Sequence, residues 1–498
     1  MNETDRLFRN TLMQSAPVAM TFVFSFVLAP IMLSRLGLAQ FGVWAVTGAL
    51  AQYARLLDFG ITGSAARFVA LFDAEGDRGA IEETLAIGLL AALAVTVVVL
   101  AAAVLLAPVV VDAVGVLGTG EMRLVLVCSV GIASANLIVA VLSAIPVGLR
   151  KMGPPNVATT IGLVINFVAS LIALLVSRNL GTYALANLAT SVVTVVGVGF
   201  ALALVWSRPF VRRPQIWRAR ELVSFGLRSQ LVTLANLVNV QTDKIIIATM
   251  LGARTAGAYE IGNRVVQGVL SLGMLSLSAL IPTATADLVK RGRTVIVEYL
   301  IRYTTRSLAI ALPMFGAVCV SIPYLLVAWL NEIPPESIQI IVLLSFSFSI
   351  SLVTGVAMTL VVSDGDPGLV AQTATLVVVL NLAGTLIAAP IFGLWGVLIG
   401  TVVAEVIASG VFLVRFHRRY ELRMEPFWAA VGHPVAVSLL LAVPFALWYL
   451  LGGPIASGRL GALVGLACTG LPYSLACWVV ESHRGLLPER LRLPRRAV

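Results

Sequence analysis

Fourteen apolar runs follow one another along this chain, at about 11–34, 41–66, 85–111, 124–148, 157–177, 183–206, 223–250, 258–284, 303–329, 338–362, 369–389, 393–414, 428–450 and 460–480. An α-helix rises 1.5 Å per residue, so runs of about 20 residues can each cross a hydrocarbon core roughly 30 Å thick. Lipid offers the backbone no hydrogen-bond partners, and a helix satisfies them within one segment. The connections are short, and none is long enough to fold as a soluble domain. Composition agrees: 59% of the 498 residues are hydrophobic and only 12% charged, and mean hydropathy is +0.99. A soluble surface needs about twice that charge. The expected fold is therefore an all-α polytopic membrane protein of about fourteen transmembrane helices. The first run lacks a small-residue cleavage site and is followed by a second span, so it reads as a retained helix.

Charge placement supports the count. With the N-terminus inside, 25 of the 34 Lys and Arg fall on the segments expected in the cytoplasm. They include the cluster Arg208–Arg220, the stretch Lys290–Arg306, the stretch Arg415–Arg423 and the tail from Arg484. Only Arg35, Arg123, Arg178, Arg254 and Arg459 fall outside. That is the positive-inside pattern, and an odd error in the helix count would scramble it. The expected location is the inner membrane, with both termini cytoplasmic and basic stretches attracted to anionic lipids. The net charge of +10 then needs no nucleic acid. The four cysteines sit singly in apolar runs and read as small hydrophobes, and no histidine pair has metal-ligand spacing.

The chain also repeats. Leu36-Gly37, Gly42 and Trp44 form LG-x4-G-x-W, and Leu251-Gly252, Gly257 and Tyr259 form LG-x4-G-x-Y, 215 residues later. Gly153-x-Pro155 matches Gly365-x-Pro367, and Gly181-x-Tyr183 matches Gly393-x-Trp395, each 212 residues apart; Asn166 and Asn381 lie mid-span. A common order and offset marks an internal duplication. Six helices per copy gives both copies the same orientation. The expected organisation is an N-terminal six-helix lobe (1–206), a basic cytoplasmic linker (207–221), a C-terminal six-helix lobe (222–414), a final helix pair with its basic loop (415–480) and a basic tail (481–498). The two lobes are expected to be pseudo-symmetric around a central cavity.

The LG-x4-G-x-W connection, Leu56–Gly60 (LLDFG) and Arg67-Phe68-Val69-Ala70 resemble the start of a bacterial polysaccharide repeat-unit flippase. In the second half, Asp243-Lys244-Ile245-Ile246, Tyr259, Arg264, Gln267 and Pro282 continue the likeness. That family belongs to the multidrug/oligosaccharidyl-lipid/polysaccharide exporter superfamily, and the resemblance covers essentially the whole chain. It implies two six-helix lobes facing a cavity that opens alternately to each side.

Polar residues inside spans point to candidate sites, because a charge there costs roughly 3 kcal/mol on insertion scales. Gln52, Arg55, Asp58 and Thr62 share one face of span two, with Arg55 and Asp58 able to pair at i,i+3. Span seven carries Gln230, Thr233, Asn236, Asn239 and Asp243, with Lys244 placed to snorkel outward. Span eight carries Glu260, Arg264 and Gln267. In lipid II flippases of the same superfamily an arginine in the matching Y-x4-R-x2-Q pattern meets the substrate diphosphate, which the resemblance carries to Arg264. Two readings stay open there: a phosphate contact, or a structural pair with Glu260 at i−4. Glu405 stands mid-span without a basic neighbour at i±3 or i±4, either as a packed structural acid or as a proton-coupling group.

A polyprenyl diphosphate carrying a sugar repeat needs cations for phosphate and amides or hydroxyls for glycan. The substrate-binding candidates are Arg264, Arg55, Asp58, Gln267, Asn236, Asn239, Gln230, Asp243 and Lys244. Flipping breaks no covalent bond, so a transporter with no nucleophile, cofactor or metal is expected, working with other polysaccharide assembly proteins. The alternative is a cation-coupled multidrug antiporter of the same superfamily, which usually relies on an acid in the N-terminal lobe; span one has none. A membrane polymerase or glycosyltransferase would usually carry a large outer loop, and the longest here is about a dozen residues.

Overall fold

In the computed structural model the described residues are 3–54, 56, 60–114, 118–206, 215–278, 280–450 and 458–483, and among them every regular element is helical. The helices are α1 (Glu3–Tyr53), α2 (Ile61–Glu75), α3 (Arg78–Val114), α4 (Thr119–Gly148), α5 (Gly153–Val176), α6 (Leu180–Val205), α7 (Ile216–Leu251) and α8 (Ala253–Ser278). They continue with α9 (Leu280–Arg291), α10 (Val295–Leu330), α11 (Ser337–Ser363), α12 (Gly368–Phe392), α13 (Leu394–Arg419), α14 (Met424–Leu450) and α15 (Gly458–His483). A 3-10 turn, Gly292–Thr294, precedes α10.

Eleven of these helices are long and apolar enough to cross a membrane. One of the eleven is α1, which turns at Gly37 and so holds the first two expected spans. α7 and α8 have the length, 36 and 26 residues, but carry the polar stripes that lower their hydropathy. All fourteen expected spans thus have a helix, in a multi-pass membrane protein. One span differs from the expected single rod. Span two ends as α1 at Tyr53 and resumes as α2 after Gly60, whose φ of 72° ends the helical path. Span eight corresponds to α8 and α9, on either side of residue 279, which lies outside the described residues.

The chain forms two compact units, Met1–Gly257 and Ala258–Val498. In the first, α4 packs on α3 and α6, α5 on α6 and α1, and α7 on α1, α2 and α3. So α7, which the repeat groups with the second half, is held here by the first three helices. In the second, α12 packs on α13, and α10 gathers α11, α14 and α15. Tyr473 anchors that last group. Its ring lies where a side chain at Gly316 would be, and its hydroxyl meets the Ser438 hydroxyl at 2.5 Å.

The duplicated motifs do duplicated work. Gly37 (φ 82°, ψ 165°) and Gly252 (φ 91°, ψ 161°) adopt nearly the same conformation, one open essentially to glycine alone. Each turns the chain between two helical arms. The next glycine of each motif then permits a close backbone approach. A Cβ on Gly42 would stand 1.8 Å from the Ala253 carbonyl oxygen, and one on Gly257 would stand 2.4 Å from that of Leu38. Within the first unit, the two motif copies therefore pack on each other. The mid-span asparagines are helix staples. Asn166 donates to Asn187 Oδ1 (3.0 Å) and Thr190 Oγ1 (2.7 Å), tying α5 to α6. Asn381 accepts from Thr385 (3.0 Å) and Thr401 (3.5 Å), tying α12 to α13.

At the basic end of the second unit, Arg293 pairs with Asp364 at 2.9 Å, and the Tyr420 hydroxyl donates to the same carboxylate at 2.9 Å. Arg419 pairs with Asp366. Burial, and then the Asp364 acceptor, push the Tyr420 hydroxyl up to about 12, so it stays protonated as a donor. Asp364 thereby joins the turn before α10, the α11–α12 connection and the end of α13. Asp364→Ala should cost about 1 kcal/mol, chiefly by removing the acceptor of the half-buried Tyr420 hydroxyl, since the exposed Arg293 stays hydrated, read as a lower Tm of the purified protein. Asp364→Asn, which keeps an acceptor for Tyr420, should cost less. Equal melting of all three proteins would remove this joint from the account.

Candidate functional site

The sequence places its polar candidates on α7, α8, α13 and the interrupted span two, and the structure treats them differently. Arg55 and Asp58 lie outside the described residues, as do the side chains of Gln230 and Asn236. On α7, Asn239 is half-buried while Asp243 and Lys244 are only 3% and 8% exposed. Lys244 therefore does not snorkel outward; it is packed inside with its neighbour. One turn of α7 is fixed to α1 by the hydroxyls of Thr242 and Tyr53, 2.6 Å apart. The described end of the α7 stripe, Asn239 and Asp243, is thus turned inward, as its polarity demands.

On α8, Arg264 donates to Glu260 Oε1 at 2.9 Å, an i,i+4 ion pair with side chains 19% and 12% exposed. Both groups are largely withdrawn from solvent yet retain some access. Gln267 follows one turn later, half-buried, and its carbonyl accepts from Ser271 at 2.7 Å. A planar guanidinium offers five donors in a fork that matches the oxygens of carboxylate and phosphate. Glu405 accepts from Ser351 of α11 at 2.6 Å and from Ser409 at 3.3 Å, which stitches α13 to α11. Those two hydroxyls give the acid a structural task.

Among the described residues there are also two hollows. One, of about 530 Å³, lies at the α10–α11 connection beside Trp395 and is walled chiefly by Ile333, Pro335, Ile338 and Val342. The other, of about 100 Å³, lies in the first unit between α1 and α4. Trp44, Gly48, Ala51 and Gln52 line it from one face of α1, and Ser129, Ile132, Ala133 and Asn136 from one face of α4. Reading the sequence for charges and motifs missed Ser129 and Asn136. The available signal was an amide at the middle of an otherwise apolar span four. Among the described residues no group of three or more His, Cys, Asp or Glu is placed to hold a metal ion.

Comparison with known proteins places this architecture. Lipid II flippase MurJ, in an inward closed conformation, superposes with a TM-score of 0.70 at 10% identity, covering 95% of this chain and 99% of that one. A multidrug resistance MATE family transporter of the MOP superfamily, inward-facing, gives 0.66 at 16% identity, covering 82% and 98%. A MOP superfamily transporter from Pyrococcus furiosus gives 0.54 at 19% identity, covering 84% and 95%. At such identities the likeness fixes the fold, that of MOP-superfamily transporters. No curated protein matches the chain in sequence. The sequence model of the polysaccharide biosynthesis protein family matches residues 7–286, more than half of the chain, and the chain belongs to that family.

Proposed function

We propose that the chain is an alternating-access flippase carrying a polyprenyl-diphosphate-linked oligosaccharide repeat unit from the cytoplasmic to the outer leaflet. Family membership points to glycan assembly, and the closest physical support is the Arg264–Glu260 pair with Gln267 on the polar helix α8. A cation kept within a membrane-crossing helix, paired but not sealed, suits a diphosphate that must bind and leave. Asn239, Asp243 and Lys244, with Arg55, Asp58, Gln230 and Asn236, are the accompanying polar groups of the path. Glu405 is the candidate acid for coupling. The basic bias of the connections supports an inner-membrane protein with both termini cytoplasmic and anionic lipids around its basic face. The lobe boundary at 207–221 belongs to the same reading.

The likeness to MATE transporters supports one alternative, a cation-coupled drug antiporter. Reconstitution separates them. Liposomes containing the protein should translocate a fluorescent polyprenyl-diphosphate oligosaccharide well above empty liposomes, and should not extrude ethidium on an imposed ion gradient. Ethidium extrusion without lipid-glycan movement would establish the antiporter instead.

A further inference from the structure

We infer that the hollow between α1 and α4 seats the edge of an uncharged sugar ring of the carried glycan, an inference that rests on the flippase reading. Among the described residues its lining is polar without charge. Trp44 contributes an indole, Gln52 and Asn136 contribute amides and Ser129 a hydroxyl, and none of its eight lining residues is ionisable. The phosphate end of such a substrate calls for cations. The glycan end calls for this other chemistry: amides that both donate and accept, and a flat aromatic face for the ring's C–H edge.

Asn136 carries the argument. It lies 17 residues from Thr119 and 12 from Gly148 on α4, about 25 Å and 18 Å from the two helix ends at 1.5 Å per residue. That is the middle of a membrane span. Its side chain is nevertheless exposed and makes no hydrogen bond among the described residues. An amide left to hydrocarbon would cost several kcal/mol, so one that lines a hollow at this depth faces water or a ligand. Around it the hollow is preformed. Gly48, Ala51 and Ala133 supply the space, and a side chain added at Gly48 would meet nothing within 4 Å. Its walls are fixed by the Ser129 hydroxyl donating to Thr47 Oγ1 at 3.1 Å, and by the edge-on packing of Trp44 with Tyr183, centroids 5.0 Å apart. A volume of about 100 Å³ holds about three waters at ~30 Å³ each. That matches the hydroxyl-bearing edge of one ring and excludes a whole repeat unit. Sugar hydroxyls can take up the hydrogen bonds that water would make to such groups, which suits a site that must release its cargo.

The test uses the full chain in lipid nanodiscs and four probes: a short polyprenyl diphosphate alone, and the same lipid bearing one hexose, one N-acetylhexosamine or one 6-deoxyhexose. At least one glycosylated probe should bind about tenfold more tightly than the bare diphosphate. Asn136→Leu removes the amide, and Gly48→Leu fills the space without removing a polar group. Both should abolish the gain while binding of the bare diphosphate stays within about twofold. Monodisperse elution of each variant confirms folding. If the bare lipid binds and no sugar adds affinity, or the gain survives both substitutions, the hollow is a water site only and the inference is overturned. If every probe fails, bare diphosphate included, the flippase reading falls and this inference falls with it.

Discussion

Gly42→Val and Gly257→Val should each nearly eliminate folded protein from the membrane. A Cβ at either position meets main chain, the Ala253 or Leu38 carbonyl oxygen, at 1.8 Å or 2.4 Å. A side-chain neighbour can rotate away, but here two helices must separate. Overpacking relieved by side-chain shifts already costs about 1–3 kcal/mol, and a whole protein is stable by only about 5–15 kcal/mol. The measurement is the monodisperse yield after detergent extraction, with thermal melting of whatever survives. Gly410→Ala is the control, because a Cβ there has nothing within 4 Å. Wild-type yield and Tm for both valine variants would show that the two motifs do not pack as described.

Arg264 gives the second large effect. If the guanidinium holds the diphosphate, Arg264→Ala should lower lipid-glycan translocation about a hundredfold, the consequence of losing about 3 kcal/mol from a partly buried charged contact. Arg264→Lys should retain part of the rate, since it keeps the charge and loses the planar fork. Protein abundance should hold in both. The competing outcome is distinct, because Glu260 sits 2.9 Å away and is only 12% exposed. A purely structural pair predicts that Arg264→Ala lowers abundance by removing the cation from Glu260. Adding Glu260→Gln would then restore both abundance and translocation. Full transport by that double variant would assign Arg264 to holding the helix.

The span count was legible because hydrophobicity is a property of each segment alone, and the loop charges check it independently. The glycine motifs were legible as a repeat, and their matching φ values explain why glycine recurs. The interruption of span two was not, because Gly60 falls inside the run 41–66 and a glycine's identity does not say that it adopts a φ of 72°. Only backbone conformation shows where the helix stops. The Arg264–Glu260 pair followed from i,i+4 spacing. The burial of Lys244 did not, since a lysine near a helix end snorkels unless its surroundings cover it, and the sequence does not say that they do. Nor did the α1–α4 hollow announce itself. Its lining comes from two distant segments, mostly small residues, and no local pattern marks an alanine as a wall.

The packing of the two glycine motifs has a form familiar from oligomers. Each copy presents the same patch, and the glycine of one receives the backbone of the other, which is the geometry of an isologous two-fold interface. Here both partners are written in one polypeptide, as in a homodimer whose subunits have been fused. Such an interface constrains heredity as well as structure. Elsewhere the halves are free to diverge, as Asn166 and Asn381 have by acquiring different partners for the same task. At Gly42 and Gly257 an enlargement in either half meets the other half's backbone, so neither position can drift alone, and the duplication stays readable there longest.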